Sequence, residues 1–119
     1  MTPPKQNVYL RGEIWLANLD PTLGHEQSGF RPVLILSDNA FNQGLAGLTI
    51  VVPIISKERF VRSHVEILPP QGGLSLRSFI KCEDIRSIST ERFIKRLRVV
   101  SAKTLHETEL RLRYLLAMK

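Results

Sequence analysis

Apolar and polar positions follow a two-residue period, or run together in short β-branched stretches, along most of this chain. Glu13-Ile-Trp-Leu-Ala-Asn-Leu19 sets Ile14 and Leu16 against Trp15 and Ala17, as a strand requires. Val33-Leu-Ile-Leu36 and Leu48-Thr-Ile-Val-Val-Pro-Ile-Ile55 are continuous apolar runs suited to central strands covered on both faces. Pro53 lacks a ladder donor, so its position is expected at an edge or a bulge. His64-Val-Glu-Ile-Leu68 alternates again and is ended by Pro69-Pro-Gln-Gly-Gly73. Ser78–Cys82 and Ile85–Ile88 complete about six expected strands, with the acidic pair Glu83-Asp84 between them. Asp38–Gly44 reads as a turn or a single helical turn, and Ser89–Arg92 as a brief one.

Helical spacing is clear only at the end, from about Leu105 to Met118. Thr104 and Glu107 have the spacing of a capping box, in which each side chain satisfies a free N–H of the first turn. Leu105, Thr108, Leu112, Leu115 and Leu116 share one face. Leu110 and Tyr114 lie roughly opposite, as a second apolar patch for a partner chain or as loose surface residues. This order predicts an α+β, mainly β domain, a small β-barrel with short helical insertions and a closing helix. Residues 10–119 form it, behind a flexible lead-in over residues 1–9.

Composition narrows the class. The 119 residues suit one domain with one core, and 43% hydrophobic with 24% charged content is ordinary for a globular protein. No apolar run approaches the ~18–20 residues of a membrane span. The N-terminal segment lacks a signal-peptide apolar core, so the cytoplasm is the expected compartment. Charge is uneven: residues 1–56 hold three basic and four acidic side chains, residues 57–119 fourteen and seven. The net +6 therefore arises in the second half, which suits a polyanionic partner or, more plainly, a solvated basic surface. The lone Cys82 allows neither an internal disulfide nor a cysteine-built zinc site, and its strand-like setting favours a buried thiol over a nucleophile.

The twelve residues Asp20–Arg31 separate two expected strands, a connection well above the typical ~4–6 residues. They carry His25, Glu26, Gln27 and Arg31, with Gly24 and Gly29 able to turn the backbone. Long loops held between strands are where binding and catalytic groups concentrate. The end of Leu48–Ile55 with Ser56, and the segment Ser78–Glu83, can converge on that loop, adding Lys81 and Glu83. No metal-ligand spacing, phosphate-cradling glycine motif or Gly-x-Ser-x-Gly elbow is present, so neither metal nor cofactor is expected. What remains is acid–base work beside cations. RNA cleavage by the 2′-hydroxyl is the natural reaction: a base takes the 2′ proton, and a cation stabilises charge growing on the phosphoryl oxygens. Arg31 suits the second role and is too basic for the first; His25, Glu26 and Glu83 remain candidates for the base.

At these residues the chain resembles the MazF/PemK family of bacterial toxins, including its Kid-type branch. The matching segments are Arg11-Gly-Glu-Ile-Trp15, Leu19-Asp-Pro-Thr22, Gly24-His-Glu-Gln27, Arg31-Pro-Val-Leu34, Ala40-Phe-Asn42, Val52-Pro-Ile54 and Lys81-Cys-Glu83 with Ile85-Arg86. The resemblance implies an SH3-like β-barrel, a homodimer, and a sequence-selective, metal-free endoribonuclease acting on single-stranded mRNA. It also implies a cytoplasmic antitoxin that blocks the RNA groove, with operator DNA bound in company with that antitoxin. Position by position, Arg31 matches the family's principal catalytic arginine, and His25 the histidine found beside the Glu-Gln pair in the Kid-type branch. Lys81 stands where the Kid-type branch has arginine, and Glu83 where it has the aspartate proposed as base. Ile55 replaces a threonine commonly found beside that arginine, leaving Ser56 as the nearest hydroxyl, and a bulge near Pro53 is expected if Ser56 is to face the site. RNA contacts are expected from Gln27, Arg59, Arg62, Ser78 and Phe60; packing is the alternative role for Phe60 and for Phe30. The alternative to an enzyme is a weak or inactive binding module of the same fold, acting through antitoxin and operator.

Overall fold

Seven antiparallel strands and two helices form among residues 7–119, which the computed structural model of the chain describes. In order they are β1 (Glu13–Asn18), β2 (Phe30–Ile35), α1 (Asn39–Asn42), β3 (Leu48–Ile55), β4 (His64–Ile67), β5 (Ser78–Lys81), β6 (Arg86–Ser89), β7 (Phe93–Val99) and α2 (Ala102–Leu115). Single 3-10 turns occupy Gln71–Gly73, Cys82–Asp84 and Thr90–Arg92. The expected α+β, mainly β class is the observed one.

The sheet runs β4-β5-β3-β2-β1-β7, and β6 joins it on β3. β3 is the hub. Along one side it pairs with β2, Val33 opposite Pro53 and Ile35 opposite Val51. Along the other it pairs first with β6, from Leu48 to Val51, and then with β5, at Ile54 and Ile55. Pro53 is thus neither at an edge nor at a bulge; it sits in a central strand at the changeover between two partners. A residue without an N–H is tolerated there because that stretch has no ladder partner on the side where β6 gives way to β5.

Alternation along β1, β2 and β3 produces two cores, one on each face. Ile14, Leu34, Val52 and Ile54 face the side closed by β4, β5 and α2, the helix contributing Leu105 and Leu112. Trp15, Ala17, Val33, Ile35 and Val51 face the other side, closed by Ile88, Tyr9 and Phe93. The expected lead-in lies mostly outside the described residues, but Tyr9 at its end is packed: its ring lies 4.7 Å from Phe93 and 4.9 Å from Trp15, centroid to centroid. Beneath this cluster Glu13 is buried yet satisfied, accepting from the Leu10 N–H (2.9 Å) and Trp15 Nε1 (3.1 Å). No helix among the described residues is long and apolar enough to cross a membrane.

Two elements depart from the sequence reading. β7 was not expected: Ile94-Lys-Arg-Leu-Arg98 is rich in cations because this strand lies at the end of the sheet, paired only to β1 among the described residues. The closing helix starts earlier than Leu105. Ser101, not Thr104, is its N-cap, with the serine oxygen accepting from the Thr104 N–H at 3.1 Å. Thr104 and Thr108 turn inward, and Thr108 Oγ1 donates to the Thr104 carbonyl at 2.9 Å. Leu115 and Leu116, expected on the packed face, are exposed with Leu110 and Tyr114.

Replacing Ser101 with alanine is expected to lower unfolding stability by about 1 kcal/mol, the usual value of an N-cap side chain. Glu107→Ala, which touches no cap bond, is expected to change it by less than ~0.5 kcal/mol. Urea titration of both variants checks the assignment.

Candidate functional site

The β1–β2 connection is a closed loop rather than a loose one. The Leu19 N–H donates to the Gly29 carbonyl (2.9 Å), and the Gly29 N–H to Asp20 Oδ1 (3.0 Å). Gly24 and Gly29 both take left-handed backbone, as their expected turning role requires. Arg92 holds the base by donating to the Asn18 carbonyl (3.1 Å) and to that of Asp20. The tip is tied to the far end of β5: the Gln27 N–H donates to Asp84 Oδ2 (2.7 Å), and Lys81 Nζ to the His25 carbonyl (3.2 Å). Lys81 Nζ also lies 3.8 Å from Asp84 Oδ2.

This tie brings the three expected segments together around a cleft of about 380 Å³, within the ~300–1,000 Å³ common for ligand sites. Arg31, from the start of β2, and Ile55 with Ser56, from the end of β3, form one wall. Lys81 and Glu83 form the other, and Arg59 stands at the rim. Ser56 reaches the cleft because the strand stops at Ile55 and the chain bends, not through the expected bulge; the pairings of β3 show no register shift. Ile55 lines the same wall and is only 7% exposed.

Arg31 Nε donates to the Ser28 carbonyl at 3.1 Å. The Gln27 amide, turned with its oxygen toward Arg31, accepts from Nε and Nη2 at 3.0 and 3.1 Å. No carboxylate pairs with Arg31 among the described residues, so its charge is left for a ligand. Glu83 is held differently. Its Oε1 accepts from Ser63 Oγ at 2.7 Å, and its Oε2 lies 2.8 Å from His64 Nε2. Burial works against its charge, but the bond from Ser63, its own backbone N–H and His64 outweigh this and hold the carboxyl below its usual range.

The remaining candidates are dispersed. His25 and Glu26 line an adjoining hollow that shares Lys81 and Glu83 with the main cleft. The Glu26 carboxylate is occupied locally, accepting from the Leu23 N–H at 3.1 Å. Ser78 Oγ donates to the Leu76 carbonyl (2.8 Å), and the residue lies beyond Ile55 in a shallow hollow that Arg31 also borders. Phe60 is 88% exposed with left-handed backbone, and Phe30 is also exposed, so neither packs in a core. Arg62 turns away from the cleft, its guanidinium carbon 5.9 Å from the centre of the Tyr114 ring. Cys82 is buried, and burial above all, with Glu83 beside it, pushes its thiol up to about 12, which leaves it inert. No cluster of three or more potential metal ligands occurs among the described residues.

Sequence reasoning missed Ser63 and His64. Neither was singled out, because Ser63 reads as the end of a basic loop and His64 as a strand residue, and only the β4–β5 register, which sets His64 opposite Lys81, brings them to Glu83.

Residues 10–116 match the family described as PemK-like, MazF-like toxin of type II toxin-antitoxin system. The chain is 41% identical over 99 residues to endoribonuclease PemK of Escherichia coli, covering 82% of this chain and 74% of that protein. It is 35% identical over 115 residues to endoribonuclease toxin ChpB of Escherichia coli K12, covering 91% and 94%. The crystal structure of MazF from Deinococcus radiodurans superposes with a TM-score of 0.83 at 30% identity, covering 95% of this chain and all of that one. A MazE-MazF structure from the same organism superposes at 0.79, also 30% identical, covering 96% and all of that chain.

The hydrogen bonds to Glu83 favour its charged form, so they add stability above its unfolded-state pKa and lose it as pH falls through the lowered native one. Glu83→Gln is therefore expected to destabilise the fold at pH 7, by a margin that shrinks as pH falls through the lowered native pKa. Urea unfolding of both proteins across that range tests this; a pH-independent gap would show that ionisation of Glu83 is not what is stabilised.

Proposed function

The chain belongs to the PemK/MazF family of type II toxins, and from that premise we propose that it is the toxin of a toxin–antitoxin pair. It acts as a metal-independent, sequence-selective endoribonuclease on single-stranded mRNA in the cytoplasm, with residues 10–119 as one toxin domain. The observation that carries this reading is the pairing within one cleft of Arg31, which has no carboxylate partner among the described residues, and Glu83, whose carboxyl is held toward its charged form by hydrogen bonds.

Glu83 accepts the 2′-hydroxyl proton, and the 2′ oxygen attacks the adjacent phosphorus. The bond from phosphorus to the 5′ oxygen breaks, and that oxygen takes a proton. The ends are a 2′,3′-cyclic phosphate and a 5′-hydroxyl. Arg31 meets the charge that grows on the phosphoryl oxygens, its planar fork matching their geometry. His25, from the adjoining hollow, protonates the leaving oxygen. Glu26 and Lys81 act mainly by shaping the loop, since their charged groups are already bonded to it. Ser56 supplies the hydroxyl that Ile55 lacks. Gln27 steadies Arg31, Arg59 meets a neighbouring phosphate, Ser78 borders the path of the strand beyond Ile55, and the exposed Phe60 offers a ring for an unstacked base. Arg62 serves the RNA only through the loop that it fastens to Tyr114.

The partners follow from the same premise. An antitoxin is the partner, a reading supported by the solved MazE-MazF assembly of a relative, and it covers the cleft. Operator DNA is bound together with that antitoxin. The exposed Leu110, Tyr114, Leu115 and Leu116 support a homodimer. The apolar Ile55 wall favours a second reading, a binding module of the same fold with weak or no catalysis.

With EDTA present, the wild type is expected to cut a long single-stranded RNA at discrete sites leaving the ends above, and Arg31→Ala to cut at least ~100-fold more slowly. An absence of cuts from folded protein on RNAs of varied sequence would favour the binding module. Ser56→Ala is expected to lower the rate about tenfold, one hydrogen bond's worth. Adding Ile55→Thr to that variant should restore part of the loss. A silent Ser56→Ala would remove that hydroxyl from the chemistry.

A further inference from the structure

His64 has no part in the reaction above, yet it lines the cleft from a nearly enclosed position. Its side chain is only 4% exposed, against 35% for Glu83. Its Nε2 lies 2.8 Å from Glu83 Oε2, while its Nδ1 is buried with no partner among the described residues. An N–H on Nδ1 would therefore be an unsatisfied buried donor, so the ring's proton belongs on Nε2, where it is donated to Glu83. Ser63 Oγ donates to the other oxygen at 2.7 Å, from a side chain that is itself buried. Two neighbouring residues at the start of β4 thus grip both oxygens of one carboxylate on the turn after β5.

We propose that Ser63 and His64 are positioning residues, a cradle that fixes the Glu83 carboxylate so that it meets the 2′-hydroxyl of a bound RNA. A carboxylate has about four lone-pair sites, so each oxygen that accepts one bond from the cradle keeps another for the substrate. Glutamate has one more rotatable bond than aspartate and needs such a hold to present an oxygen at a constant place; displacement by ~1 Å is enough to slow proton transfer. The His64 nitrogen left over, Nδ1, is enclosed and so offers the 2′-hydroxyl no acceptor. The inference rests on the role given to Glu83 above.

Other charges surround Glu83 and stay unchanged in the test. Arg31, Lys57 and Arg59 border the cleft, His25 and Glu26 line the adjoining hollow, Lys81 ends β5, Cys82 and Asp84 share the turn with Glu83, and Arg111 approaches Cys82 from α2. None of them donates a hydrogen bond to Glu83 among the described residues.

The experiment is the pH dependence of kcat/KM for RNA cleavage in His64→Phe, His64→Gln and Ser63→Ala, alongside an NMR titration of the Glu83 side-chain carboxyl. Phenylalanine keeps the ring's bulk without a donor; glutamine returns an N–H near the position of Nε2. Removing a bond to the charged form raises the carboxyl's pKa. The acid limb is therefore expected to move up by about one pH unit in His64→Phe, with a lower plateau. Ser63→Ala should move it the same way, and His64→Gln should return it toward the wild type. An unmoved limb and plateau in His64→Phe would overturn the proposal and leave His64 as packing. The carboxyl titration reads the cradle without cleavage: if it moves but the wild type cuts no RNA, the nuclease reading fails, and with it proton transfer as the cradle's purpose.

Discussion

A strand can satisfy only one neighbour on each side at any point, and β3 uses two on the same side. It leaves β6 after Val51 and takes up β5 at Ile54, while β2 continues along its opposite side. That single exchange positions most of what matters. The register that sets Val33 opposite Pro53 runs two steps further to bring Arg31 toward Ile55. The new partner, β5, brings Lys81 and the turn containing Glu83 to the same strand end. Arginine and carboxylate therefore approach from two sides of one strand, and the hydroxyl of Ser56 enters where that strand runs out.

Within the cleft, charge is divided between groups consumed by the fold and groups left to act. Asp84, Lys81 and Glu26 spend their polar atoms on the β1–β2 loop. The exposed ion pair of Arg77 with Glu66 lies outside this division and carries little energy. Hydrogen bonds to charged groups are stronger, typically ~1.5–3 kcal/mol each, which is why the Asp84 and Glu83 contacts can define geometry. Arg31 is held by neutral partners, Ser28 and Gln27, that orient the guanidinium without neutralising it.

The strands with apolar periodicity were legible, from Glu13 through Ile88, because burial on one or both faces writes itself into residue type. β7 was not, since an edge strand that faces solvent on most sides can be built from Lys95, Arg96 and Arg98. The N-cap moved to Ser101 because its hydroxyl takes the Thr104 N–H, while the Thr104 hydroxyl, though correctly spaced for a capping box, is buried and bonded by Ser101 Oγ. In the site, Arg31 and Glu83 were readable from motif and charge. His64 and Ser63 were not: their importance depends on the β4–β5 register, a long-range pairing that no local pattern encodes. Pro53 shows the converse, a local rule answered by a topological exit that only the whole sheet provides.

The outer side of β7 has one further consequence. With β1 as its only strand partner among the described residues, and the Gly73 turn packed against Leu97 and Arg98, it presents the rest of its backbone edge to any other strand of suitable length. Two copies meeting there would set Lys95, Arg96 and Arg98 of one against the same cations of the other. That repulsion reaches about 10 Å at 0.1 M salt and shrinks as ionic strength rises. The same cations that hid the strand from recognition therefore guard the folded chain against aggregation through its open edge, a protection that weakens in concentrated salt.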